Sequence, residues 1–127
     1  MTDMPSAAFF RCGSYERDEV EDRMGKLLES LGGMERFVRP GESVLLKPNL
    51  LSASSPERCI TTHPEVVRAA ALRVQAAGGH PFIGDSPGLD GFSSVGAKTG
   101  MEDVAGELGI PCVELDDPVP LPMAEGS

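Results

Sequence analysis

The sequence predicts an α/β domain: an open parallel sheet, Rossmann-like or flavodoxin-like, with about four strands and helices on both faces. Three observations carry this expectation. Short apolar runs rich in Val, Leu and Ile alternate with longer stretches of helical periodicity. The helical stretches close on glycine, as helix ends do. Polar clusters fall where apolar runs stop, and in a parallel sheet those points gather along one edge, the carboxyl ends of the strands.

Each element follows from local chemistry. The apolar run 7–12 reads as a short first strand. A helix is expected over 17–31, where Val20, Met24, Leu27, Leu28 and Leu31 recur at helical spacing before Gly32 and Gly33. Glu16, Asp18, Glu19, Glu21 and Asp22 crowd its start, complementing the helix dipole and predicting a solvated acidic face. Arg39-Pro40-Gly41-Glu42 turns the chain into a strand over 44–51, whose Val-Leu-Leu run lacks polar alternation and so predicts burial on both faces.

A polar loop, 52–61, leads to Thr62-His63-Pro64-Glu65, the spacing of a capping box in which Thr62 accepts from the Glu65 amide. Pro64 suits the first turn, where its missing N–H costs nothing. That helix continues through Val66, Val67, Ala70, Ala71 and Val74 to Gly78 and Gly79. Residues 81–84 read as a third strand and 85–94 as a glycine-rich loop. Thr99-Gly100-Met101-Glu102 is a second capping box, opening a helix with Val104, Ala105 and Leu108 before Gly109. Residues 112–115 complete the pattern as a fourth strand. Residues 1–117 are thus one α/β domain and 118–127 an irregular, proline-rich tail. Four short strands leave edges that need covering, so the chain reads as the first half of a larger domain or as one whose sheet a partner completes.

Composition narrows the function classes. The 127 residues hold 20 acidic and 11 basic side chains, a formal charge of −9. The basic residues are scattered singly, so no face is fit to wrap a nucleic-acid backbone. Cys12, Cys59 and Cys112 lie far apart, without a CxxC pair, so the chain's own cysteines build neither a zinc ribbon nor an iron–sulfur cluster. Cys12 and Cys112 fall in apolar runs and are expected in the core; Cys59, in a polar loop, is the cysteine open to reaction. No apolar stretch approaches the roughly 20 residues needed to cross a bilayer, and the N-terminus lacks a leader pattern. A cytoplasmic chain without a membrane partner is the expectation.

Three polar clusters hold the candidate site residues. Lys47 leaves the second apolar run and offers a point charge to phosphate or carboxylate; Asn49 after Pro48 fixes the loop or touches the ligand. Thr62 and His63 stand at a helix amino end, where free N–H groups attract anions, and His63 is a candidate metal ligand or acid–base group. Asp85 ends a strand between glycines, suited to a cation or a substrate hydroxyl or to an Asx turn. Ser86 and Gly88 join it as ligand-binding candidates. No nucleophile elbow is expected at Ser86, and no GxGxxG or P-loop motif is present.

The runs VLLKPNLLS, TTHPEVVRAA, GGHPFIGDSPG and KTGMEDVAGELG resemble the family called domain of unknown function 362, over about residues 42–116. Its motif positions fall on Lys47, Asn49, Thr62, His63, Pro64, Asp85, Ser86 and Gly88. The resemblance implies a setting in redox or anaerobic metabolism, since members are sometimes joined to ferredoxin modules with four-iron, four-sulfur clusters. It also implies a domain that continues with further strands. Three readings follow: the first is a site for a small anionic ligand, with or without a metal, where Lys47, His63 and Asp85 converge; the second is a non-catalytic docking domain for a ferredoxin-like partner or second half-domain. An inactive half-domain fragment is the third.

Overall fold

A computed structural model describes residues 6–49, 55–58, 61–86, 96, 99–115 and 120. Among these residues three α-helices and three strands alternate in full: α1 (Arg17–Ser30), β1 (Ser43–Leu46), α2 (Pro64–Ala76), β2 (His80–Asp85), α3 (Met101–Leu108) and β3 (Cys112–Glu114). The strands form one parallel sheet in the order β1-β2-β3, with Leu46 opposite Ile83 and Ile83 opposite Cys112. The fold class is therefore α/β with an open parallel sheet, as the alternating pattern predicts.

Glycine ends the helices as expected. At α1 the Gly33 N–H reaches Leu28 O and Gly32 N–H reaches Glu29 O; at α2 the Gly79 N–H reaches Val74 O and Gly78 N–H reaches Gln75 O. Both are Schellman closures, and both place a left-handed residue (Gly32, φ 102°; Gly78, φ 88°) where a Cβ would be strained.

The chain steps across the sheet in one direction, so right-handed crossovers put α2 and α3 on the same face. They pack on each other, and α1 packs on α2. The core lies on this side: Val67 and Ala71 from α2, Ile83 from β2, and Met101, Val104 and Ala105 from α3, with Leu46 and Cys112 at its margin. Val38, Val74 and Ala77 form a smaller cluster with Met34 and Val44. Among the described residues no helix covers the other face. Hence β1 alternates between exposed and half-buried, Leu45 remaining 42 % exposed. Burial of β1 on both faces is thus not found, because its apolar run meets a layer on one side alone.

Further expectations change. Residues 7–12 form no strand: they are described without regular structure and are mostly exposed, with Phe9 at 90 %. A strand exists by pairing its backbone, and no described strand takes this segment as a partner. Cys12 is accordingly exposed rather than in the core, whereas Cys112 is half-buried. The strand expected over 44–51 is shorter, since Pro48 has no N–H to extend the ladder. Neither capping box forms. His63, not Thr62, caps α2, and the αL residue Gly100 precedes α3, while Thr99 is buried and donates to Gly96 O. Cys59, Gly88 and nearly all of the tail lie outside the described residues.

The acidic start of α1 is engaged as well as solvated. Arg68 of α2, its side chain 13 % exposed, donates to Glu21 of α1 and Glu107 of α3. Arg17 of α1 reaches Glu65 at 3.0 Å and Glu107 at 3.2 Å. Two arginines thus suture three helices through carboxylates on each. Hydrogen bonding from Arg68 holds the Glu107 carboxyl below the usual range, against partial desolvation. A carboxylate depressed in the folded state adds stability above its unfolded pKa, and that contribution is lost as pH falls through the folded value. The Tm of the native chain is therefore expected to exceed that of Glu107→Gln at pH 7. In thermal melts the gap should narrow once the pH drops below about 4.3; a gap independent of pH would show that this charge network carries no weight.

Candidate functional site

The carboxyl ends of β1 and β2 lie side by side because the strands are parallel and in register. Lys47, one residue beyond β1, places Nζ 2.9 Å from Oδ1 of Asp85, the last residue of β2. The Lys47 side chain is 51 % exposed and that of Asp85 only 5 %. Asp85 is two residues beyond Ile83 and so shares its helix-covered face. A carboxylate in that position needs a cation, and Lys47 supplies it.

Asn49 completes the arrangement. Its Oδ1 accepts from Lys47 Nζ at 2.6 Å, and its backbone is left-handed (φ 55°), a conformation asparagine tolerates better than most residues. Pro48 between them is buried, and its carbonyl accepts from Thr62 N–H at 3.4 Å, which ties the approach to α2 to the same edge.

His63 stands at that approach with its ring engaged. Nδ1 accepts the Glu65 N–H at 3.1 Å, making His63 the N-cap of α2 with Pro64 as the first helical residue. Its ring stacks on Tyr15, centroids 3.9 Å apart and planes within 5°. With Nδ1 accepting, a neutral imidazole carries its proton on Nε2, so neither nitrogen offers a free lone pair while the cap holds. Among the described residues, no group of three or more His, Cys, Asp or Glu side chains is placed to hold a metal ion.

Ser86 follows Asp85, and its Oγ donates to Leu115 O, while Leu115 N–H reaches Asp85 O at 3.0 Å. These bonds lace the end of β2 to the end of β3. Gly84, Ser86 and Gly88 do stand at the G-x-S-x-G spacing of a nucleophile elbow. The elbow's oxyanion hole uses the N–H of the residue after the serine, and here that residue is Pro87, which has none. The Cys112 thiol is pushed up by burial and by the nearby Glu102, which keeps it protonated and a poor nucleophile.

The structure thus brings Lys47, Asn49 and Asp85 into contact and gives Thr62, His63 and Ser86 structural bonds around them. Sequence reasoning missed Tyr15 as the partner of His63, since 48 positions separate them. It also set the cap one residue early, although Pro64 as first helical residue was a signal for position 63.

Comparison with known proteins accords with these motifs. Residues 44–127 match the family described as Domain of unknown function (DUF362). The chain belongs to this family. It is also 47 % identical over 110 residues to a thylakoid-associated protein of Synechocystis sp., a match covering 87 % of this chain and 34 % of that protein. The chain therefore spans about a third of the length of this relative. No solved structure matches the chain.

Two measurements probe the site. A double-mutant cycle of Lys47→Met and Asp85→Asn, read by urea denaturation, should give a coupling of about 1–3 kcal/mol; a value near zero would mean the pair is a surface contact of no consequence. His63→Ala should cost about 1 kcal/mol through loss of the cap, and His63→Asn, a good capping residue, should recover most of it.

Proposed function

We propose that this chain is an α/β domain that takes a small anionic ligand at the carboxyl edge of its sheet, where Lys47 meets the ligand. The observation that carries this reading is the Lys47–Asp85 pair. A half-exposed ammonium is aimed by a buried carboxylate 2.9 Å away, at the edge where such folds bind ligands. Of the three N–H donors of the ammonium, Asp85 and Asn49 meet one each among the described residues, and a ligand oxygen would take the third. Asp85 positions the lysine, and Asn49 shapes the rim. Ser86 and Thr62 border the same edge.

The family's association with ferredoxin modules supports a setting in redox or anaerobic metabolism. No described helix is long and apolar enough to cross a membrane. Our reading keeps the chain in the cytoplasm, with association with the thylakoid, in the words of the relative's name, as the alternative.

Titration of the isotope-labelled chain with inorganic phosphate, followed by amide chemical shifts, tests the reading. Saturable shifts are expected at Lys47, Asn49 and Ser86, with a dissociation constant of about a millimolar (~4 kcal/mol), and Lys47→Met should weaken them at least tenfold. Uniform, unsaturable shifts, or binding indifferent to Lys47→Met, would overturn it.

A further inference from the structure

The face of the sheet opposite the helices is polar at its amino end, where Ser43 and His80 pair, and apolar beyond it. Register and alternation put Leu45, Phe82, Gly84 and Val113 on it, with Leu115 beyond the end of β3. Gly84 lies at its centre. A Cβ there would meet Leu45 Cδ1 at 3.1 Å, Val113 Cγ2 at 3.3 Å and Leu115 Cδ2 at 3.4 Å. Three aliphatic side chains therefore lean together over the glycine and form a shallow apolar floor. Leu45, 42 % exposed, is its most open member.

Three considerations identify what fits this floor. Parallel sheets occur with both faces covered, because their crossovers place helices on each; here the described helices of both crossovers lie on one face. The floor is also small. Strands of three to six residues, set about 4.8 Å apart, present roughly 200–300 Å², well short of the about 800 Å² that each partner of a stable complex buries. A second copy held by this face alone would not repay the loss of translational freedom, whereas a helical layer on the same polypeptide bears no such cost. Finally, about two thirds of the Synechocystis relative lies outside the matched stretch, polypeptide enough to supply such a layer.

We infer that the Leu45–Phe82–Val113 face is the seat of an amphipathic helical layer, formed by the family's polypeptide outside the stretch that this chain shares with its longer relative. This inference stands apart from the carboxyl-edge site, since it rests on the sheet's apolar face and not on Lys47. The expected occupant presents aliphatic side chains to the floor and a polar face to solvent, as α2 and α3 do on the opposite side.

Thiol labelling tests it. Leu45→Cys is made in this chain with Cys12→Ser and Cys59→Ser, which removes the exposed thiol and the one in the polar loop, and a cysteine is placed at the aligned position of the intact Synechocystis protein. Each rate is measured against its parent without the new cysteine. Labelling is expected to be fast in this chain and at least tenfold slower in the longer protein. As a second readout, Leu45→Glu should leave the Tm of this chain within a few degrees and lower that of the longer protein substantially. Equal labelling rates, or equal Tm changes, in the two proteins would overturn the inference. Labelling of this chain that slows with its own concentration, alongside a dimer in sedimentation, would overturn it too by making a second copy the occupant.

Discussion

Ile83 fixes the register on which the rest of the molecule depends. It is fully buried in the central strand, packed within the cluster that α2 and α3 form over the sheet. Side chains in a strand alternate faces, so a slip of one residue would turn Ile83 out and bring Gly84 in, emptying the core of its central side chain. The same slip would carry Asp85 off the covered face and away from Lys47. An apolar contact on the helical side therefore sets a polar contact at the sheet's edge, and the candidate site inherits its precision from hydrophobic packing two residues away.

Charge is used in two ways. At the edge, a buried carboxylate is tolerated because an ammonium lies against it, and breaking such a pair costs more than forming it gains. Between the helices, by contrast, the carboxylates are only partly shielded from water and the arginines span them. Individual surface pairs contribute little. Arg17 and Arg68 have more reach because they share Glu107 and so join α1, α2 and α3 in one network. A chain with a formal charge of −9 thus places scarce cations where acids from different helices would otherwise repel.

The one-sided helical layer connects fold to length. Two crossovers stepping in the same direction cover one face, and a second layer would have to come from elements beyond the three strands described here. The longer relative has the polypeptide for such a layer. The sheet's carboxyl edge borders both faces, so a covering layer would also wall in the neighbourhood of Lys47, turning an open rim into a cleft.

Much of this was legible in the residues alone. The α/β class, the glycine closures at Gly32, Gly78 and Gly109, and the position of Lys47 and Asp85 at strand ends follow from periodicity and local backbone chemistry, which act over a few residues. Partnership is a different matter. The run 7–12 has strand-like side chains but no described strand to pair with, and the apolar run of β1 does not say whether one layer or two will meet it. The stack of Tyr15 on His63, the reach of Arg68 to Glu107 and the exposure of Leu45 depend on how elements far apart in the chain come to rest against one another. Sequence by itself determined where elements start, stop and place their polar ends; only the tertiary structure decided which faces are buried and which charges meet, because burial and ion pairing are properties of neighbours in space and not along the chain.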